Sequence, residues 1–243
     1  MYDSFERNFV LLGATAVEDK LQEDAIKTIE DLQKASIKVW MLTGDKFETA
    51  ENVGLSCRLI HEHFVLFKIR NFDDLESVCS QKTLERNRVL QLQGKKRALV
   101  VDAKILPRVM LEDDFRLYFT LLAKSCDSVI CARMNPSQKA EVVKLIKKDD
   151  GNAITAAIGD GANDVNMILE AHVGIGLFGN EGLRAVQAAD FSISQFRFLW
   201  PLLLQNGRKY YKNNATLINY FLYKNLVFTM PQLYFGCFNG FSG

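Results

Sequence analysis

Short apolar runs rich in β-branched residues alternate along the chain with longer segments whose apolar positions recur at helical spacing. The runs at residues 9–14, 38–42, 98–101, 128–131, 154–158 and 173–177 read as strands covered on both faces. Helices are predicted between them, at residues 23–35, 48–55, 115–124, 137–148 and 163–170. This order predicts an α/β fold, a doubly wound parallel sheet with functional groups at the carboxyl ends of its strands. Residues 62–94 break the rhythm with a polar, charged stretch and read as an insertion between two strands.

The end of the chain differs in kind. From residue 213 to 243 the only formal charge is Lys224. Residues 217–238 supply about 22 mostly apolar positions, enough at ~1.5 Å per residue to cross a ~30 Å hydrocarbon layer, so a single transmembrane helix is expected. Arg208, Lys209 and Lys212 precede it and no charge follows, which puts the α/β domain on the cytoplasmic side of an integral membrane protein. Tyr210 and Tyr211 at the start, with Tyr234, Phe235 and Phe238 at the far end, suit the two interfaces. The expected division is residues 1–205 for the α/β domain and 206–243 for a connecting and transmembrane helix. Residues 196–204 should pack on the domain and lead stiffly into the span.

Composition narrows the function. With 243 residues, 48% hydrophobic and 24% charged, the chain is able to bury a core and is not a disordered one. Lys plus Arg number 30 against 29 Asp plus Glu, a net charge of +1, so nothing draws it to nucleic acid. Its five cysteines form no C-x-x-C pair, which argues against a disulfide framework or zinc ribbon and suits a reducing cytosol. The N-terminus has no secretory-signal pattern.

Three constellations carry chemistry, each at the end of an apolar run. In Gly159-Asp160-Gly161-Ala162-Asn163-Asp164 two carboxylates flank an amide, a set suited to Mg²⁺, which takes oxygen ligands and keeps several waters. Thr43-Gly44-Asp45 offers a hydroxyl and a backbone N–H to an anionic oxygen at a helix start. Arg133 to Lys139 leaves a strand and places Lys139 in the first turns of a helix, the wrong end of the dipole for a cation unless an anion is its partner. His61 and His63 have no third ligand beside them, and His172 reads as a packing or capping residue.

In that order, hydroxyl, lysine and paired carboxylates resemble three of the four motifs of the haloacid-dehalogenase superfamily. More narrowly, the stretches 13–22, 40–46, 133–139, 159–165 and 171–176 resemble the phosphorylation domain of P-type ATPases of the phospholipid flippase class, and 221–225 with 238–243 resemble the fifth transmembrane helix and its exit. The resemblance implies a haloacid-dehalogenase-like, incomplete domain using ATP as substrate and Mg²⁺ as cofactor. It implies that Thr43, Gly44, Asp45, Arg133, Lys139 and Asn163 contact phosphate or nucleotide, with Thr43 and Lys139 catalytic. Asp160 and Asp164 would bind the metal, and Lys224 and Asn225 would act in lipid transport. Implied partners are phospholipid, the membrane, the rest of a flippase and an accessory β-subunit.

One part of the pattern is missing. The superfamily's nucleophile is an aspartate followed two positions later by Asp or Thr, and no aspartate in the chain has that neighbour. The expectation is therefore a fragment of an ATP-driven flippase that is inactive alone. The rival readings are a catalytically silent module for Mg²⁺ and phosphate, or a soluble phosphatase of the superfamily. Ser137 and Ala103 depart from the family's usual residues.

Overall fold

The buried apolar runs assemble into two parallel sheets, in a computed structural model that describes residues 12–13, 20–149, 151–179 and 182–240. The first sheet contains β1 (Val39–Leu42), β2 (Val65–Ile69), β3 (Arg97–Asp102) and β4 (Ser128–Ala132), in the order β1-β4-β3-β2. The second contains β5 (Ala156–Gly159), β6 (Val173–Leu177) and β7 (Phe191–Ile193), in that order, with α8 (Val165–Glu170) between the first two and α9 (Arg184–Ala188) between the last two along the chain. Among the described residues the strands thus form two sheets, where a single sheet is expected from the sequence. The predicted strand at residues 9–14 lies outside the described residues except for Leu12 and Gly13, which are in no strand. Residues 62–94 contribute β2 and the helices α3 (Phe72–Val78) and α4 (Gln81–Leu92).

Strands β3 and β4 are buried throughout, and their alternate residues feed two different cores. Leu99, Val101, Val129 and Cys131 face a cluster with Leu75 of α3, Val109 of α5 (Leu106–Leu111), Phe119 and Leu122 of α6 (Asp113–Ser125), and Leu145 of α7 (Pro136–Asp149). Ala98, Val100, Ile130 and Ala132 face Ile29 of α1 (Ala25–Lys34) and Phe47 and Ala50 of α2 (Phe47–Ser56). Helices on both faces of a parallel sheet explain why these strands carry no polar stripe. Register aligns the strand ends: Leu42 lies opposite Cys131, and Asp102 opposite Ala132, so the loops after β1, β3 and β4 open on one edge.

A third cluster joins the second sheet to α1 and to the segment that leads into the chain's final helix. Leu32 of α1 packs with Ile175, Leu177, Ile193 and Leu199, and Leu202, Leu203 and Leu204 lie against them. The Phe196 N–H donates to Gln22 Oε1 at 2.8 Å, and Arg197 Nη1 meets Glu23 Oε2 at 2.8 Å. A 3₁₀ turn (Phe196–Phe198) and a π-helical segment (Pro201–Asn206) then lead without a loop into α10 (Gly207–Asn239). Packing of residues 196–204 on the domain agrees with expectation, and Pro201 starts a helical segment rather than breaking one.

Helix α10 has 33 residues, about 50 Å at ~1.5 Å per residue, and its side chains are almost all exposed. Among the described residues, however, no helix is long and apolar enough to cross a membrane. The length expected of a span is present, whereas the apolarity falls short. Lys224, Asn225, Pro231 and Gln232 lie inside the stretch, and Tyr220, Tyr223 and Tyr234 replace aliphatic residues.

Four cysteines are buried and Cys237 on α10 is exposed. Burial pushes the Cys79, Cys126 and Cys131 thiols up to about 12. The folded state therefore keeps protons that an unfolded thiol loses near pH ~8.5, so stability is full below that pH and falls as pH rises toward 12. Urea unfolding should show a lower midpoint at pH 10 than at pH 8, with a smaller drop in Cys131→Ala. Iodoacetamide at pH 8, followed by mass spectrometry, is expected to modify Cys237 and to leave the other four intact until the chain is unfolded.

Candidate phosphate and metal site

The loop after β1 folds on its own side chains. Thr43 Oγ1 donates to Asp45 Oδ2 at 2.8 Å and accepts from the Asp45 N–H at 3.1 Å, closing a tight turn before α2. Three backbone bonds seat that turn against the end of β4. The Thr43 N–H donates to the Cys131 carbonyl (2.9 Å), the Met134 N–H to the Thr43 carbonyl (2.9 Å) and the Arg133 N–H to the Asp45 carbonyl (2.8 Å). The last bond needs Arg133 at φ 58°, a left-handed conformation that costs an L-residue ~1–2 kcal/mol. Gly44 lies exposed in the turn, where an added Cβ would come within 3.7 Å of the Met134 carbonyl. Cys131 is wholly buried with its thiol raised to about 12, which excludes it as a nucleophile here.

From Arg133 the chain enters α7, whose start is capped by Gln138: its Oε1 accepts from the Asn135 N–H at 2.9 Å. Lys139, one turn in, has the anionic partner its position calls for, and that partner is internal. Its Nζ lies 2.8 Å from Asp164 Oδ1, with both side chains only 13% exposed. Asp164 belongs to a 3₁₀ turn (Ala162–Asp164) that follows β5 and precedes α8 (Val165–Glu170), so the pair connects the first sheet's α7 to the second sheet's strand end.

Glycine at the end of β5 makes room for this carboxylate. A Cβ on Gly159 would stand 2.3 Å from the Asp164 Cβ and 2.7 Å from its Oδ2. Asp160 points outward, exposed, over Gly179, whose own Cβ would come 3.1 Å from Asp160 Oδ2. Asn163 is exposed in the 3₁₀ turn between the two carboxylates. Among the described residues no three His, Cys, Asp or Glu side chains gather as a metal cluster, His61 and His63 included. Those two rings stack on each other at 5.2 Å and lean on Phe64. His172 Nδ1 accepts the Thr155 N–H at 3.1 Å and ties the start of β5 to that of β6.

The sequence-predicted residues therefore form two groups. Thr43, Gly44, Asp45 and Arg133 are zipped together after β1 and β4, and Lys139 of α7 is paired with Asp164 in the turn after β5 that also carries Asp160 and Asn163. Lys224 and Asn225 are remote from both, midway along α10. There Lys224 lines a shallow groove with Tyr220, Tyr223, Val227 and Phe228, and the Asn225 carbonyl accepts the Thr229 hydroxyl at 2.9 Å. One residue of the first group was not singled out from the sequence. Asp102, buried at the end of β3, holds the Lys104 N–H on Oδ1 (3.1 Å) and faces Arg133 Nη1 from Oδ2 (3.6 Å). Its signal is the one that marks Asp160, a carboxylate closing an apolar strand.

Residues 186–243 match the family described as phospholipid-translocating P-type ATPase C-terminal. The chain is 44% identical to phospholipid-transporting ATPase 6 of Arabidopsis thaliana over 99% of its own length and 20% of that protein's. It is 44% identical to probable phospholipid-transporting ATPase IM of Homo sapiens over 100% of its length and 22% of the relative's. It spans about a fifth of the length of the curated relatives it matches. Kinship along its whole length ties this chain to the phospholipid-transporting P-type ATPases.

Proposed function

We propose that the chain is the phosphate- and Mg²⁺-facing part of an ATP-driven phospholipid flippase, in which an aspartyl-phosphate cycle is coupled to moving phospholipid between leaflets. The Lys139–Asp164 pair is the observation that carries this reading. A lysine and a carboxylate this close and this buried, beside the free carboxylate of Asp160, supply a cation for a phosphoryl group and oxygens for a metal at one place.

The residues present fit Mg²⁺. Two carboxylates and waters meet its usual demand. Lys139 occupies Asp164 Oδ1, so Oδ2, cradled over Gly159, is the oxygen left to face a cation. Asp160 and Asp164 would hold the ion with Asn163 supporting them, and a bound metal would neutralise charge on phosphoryl oxygens. Thr43, Gly44, Asp45 and Arg133 hold phosphate and nucleotide, and Lys139 balances the charge of the transferring group. ATP is the substrate.

The nucleophilic aspartate comes from residues outside this chain, since no Asp here has Asp or Thr two positions on. That same lack favours a second reading, a silent module that binds Mg²⁺ and phosphate without turnover. In the flippase reading the α/β domain is cytoplasmic. Helix α10 lies in the membrane among other helices, which would cover the polar residues that a lone span could not carry. Lys224 and Asn225 meet the phospholipid, and an accessory β-subunit completes the assembly.

Purified chain incubated with labelled ATP and Mg²⁺ should take up no acid-stable label; covalent label would defeat the assignment of the nucleophile to another segment. Calorimetric titration should find Mg²⁺ affinity reduced about tenfold or more in Asp160→Asn and unchanged in Asp73→Asn, a carboxylate exposed on α3. Equal losses in both would mean a diffuse acidic surface. Gly159→Ala should push Asp164 off Lys139 and cost ~1–3 kcal/mol in chemical denaturation, whereas Gly151→Ala, with nothing within 4 Å of its Cβ, should be nearly neutral.

A further inference from the structure

Arg133 stands at φ 58°, where glycine would be at ease and an L-residue is strained. Its side chain explains the choice. The guanidinium reaches across to Asp102 on the neighbouring strand, 3.6 Å from Oδ2, while its own N–H holds the Asp45 carbonyl on the other side. Strand order is β3-β4-β1, so Asp102, Arg133 and the Thr43–Asp45 turn make one relay across three adjacent strand ends. Asp102 is the fixed end: it is 4% exposed, its Oδ1 is bound by the Lys104 N–H, and Gln138 Nε2 donates to the carbonyl of the next residue, Ala103, at 3.3 Å.

We infer that Asp102 is a positioning residue of the phosphate site: acting through the Arg133 guanidinium, it holds Arg133 in its left-handed conformation and so seats the Thr43-Gly44-Asp45 turn. It does not touch the ligand. A buried carboxylate without a cation is costly, and a strained arginine without an anchor relaxes, so each residue keeps the other in place. This inference rests on the reading of Thr43, Asp45 and Arg133 as phosphate contacts, and it extends that set to a residue behind them.

Amide hydrogen exchange of the full chain in detergent micelles tests it without any nucleotide. In Asp102→Asn the Arg133 and Met134 amides should exchange about tenfold faster, with the amides of β6 unchanged. Arg133→Gln, altered on the more exposed side of the pair, should release the same two amides, and Arg133→Lys should restore most of their protection. Exchange that ignores the charge at position 133, or that is as slow in Asp102→Asn as in the wild type, would overturn the inference. Binding of Mg²⁺ and ATP is measured separately, so failure of the phosphate reading and failure of this anchor give different results.

Discussion

The two sheets are joined at their functional edge by one charged contact. Lys139 reaches from α7, which covers the first sheet, to Asp164 at the end of the second sheet's first strand. Both side chains are largely removed from water, and breaking such a pair by truncating one partner costs ~3–5 kcal/mol, chiefly through the charge left behind. Further along the same helix, Lys147 donates to the Glu170 carbonyl at the end of α8. Helices α7 and α8 are thus tied at two levels, one at the strand ends and one away from them. Asp160 takes its position relative to Thr43 and Arg133 from this seam together with the apolar cluster in which Leu32 of α1 packs on Ile175 and Leu177 of β6.

Parts of this arrangement are plain in the amino-acid order, and the reasons are physical. Strands β3, β4 and β6 are buried on both faces, so each appears as an unbroken apolar run. Strand β2 was hidden because Lys68 stands exposed in it, and β7 because three residues, one of them Ser192, leave no period to read. The run that announced β5 began too early: Ile154 is 78% exposed, and pairing starts at Ala156. Division into two sheets is a matter of which distant strands pair, and local pattern carries no record of that.

The site was legible for a related reason. Chemistry in a parallel sheet gathers where strands end, so a polar residue closing an apolar run is a signal in itself. Thr43 and Asp160 stand out in that way, and Lys139 and Asp164 lie in the first turns of the helices that follow such runs. Asp102 ends its run in the same manner, but its role depends on Arg133 turning back toward it, and a left-handed backbone angle at a non-glycine residue leaves no trace in the sequence. The pairing of Lys139 with Asp164, rather than with an external anion, was likewise beyond reach, because 25 residues separate them.

The π-helical segment Pro201–Asn206 has a consequence for the long helix behind it. A π turn accommodates one residue more than an α turn, and one residue of an α-helix corresponds to a rotation of ~100° about its axis. The azimuth of α10, and with it the side on which Lys224 emerges, is therefore fixed by how six residues are wound against Leu199 and Leu32. Rewinding them as an α-helix would swing the lysine a quarter of the way round while the domain stayed still. The segment acts as the index of a dial: it is short and packed, and it decides what a 33-residue rod presents to its surroundings.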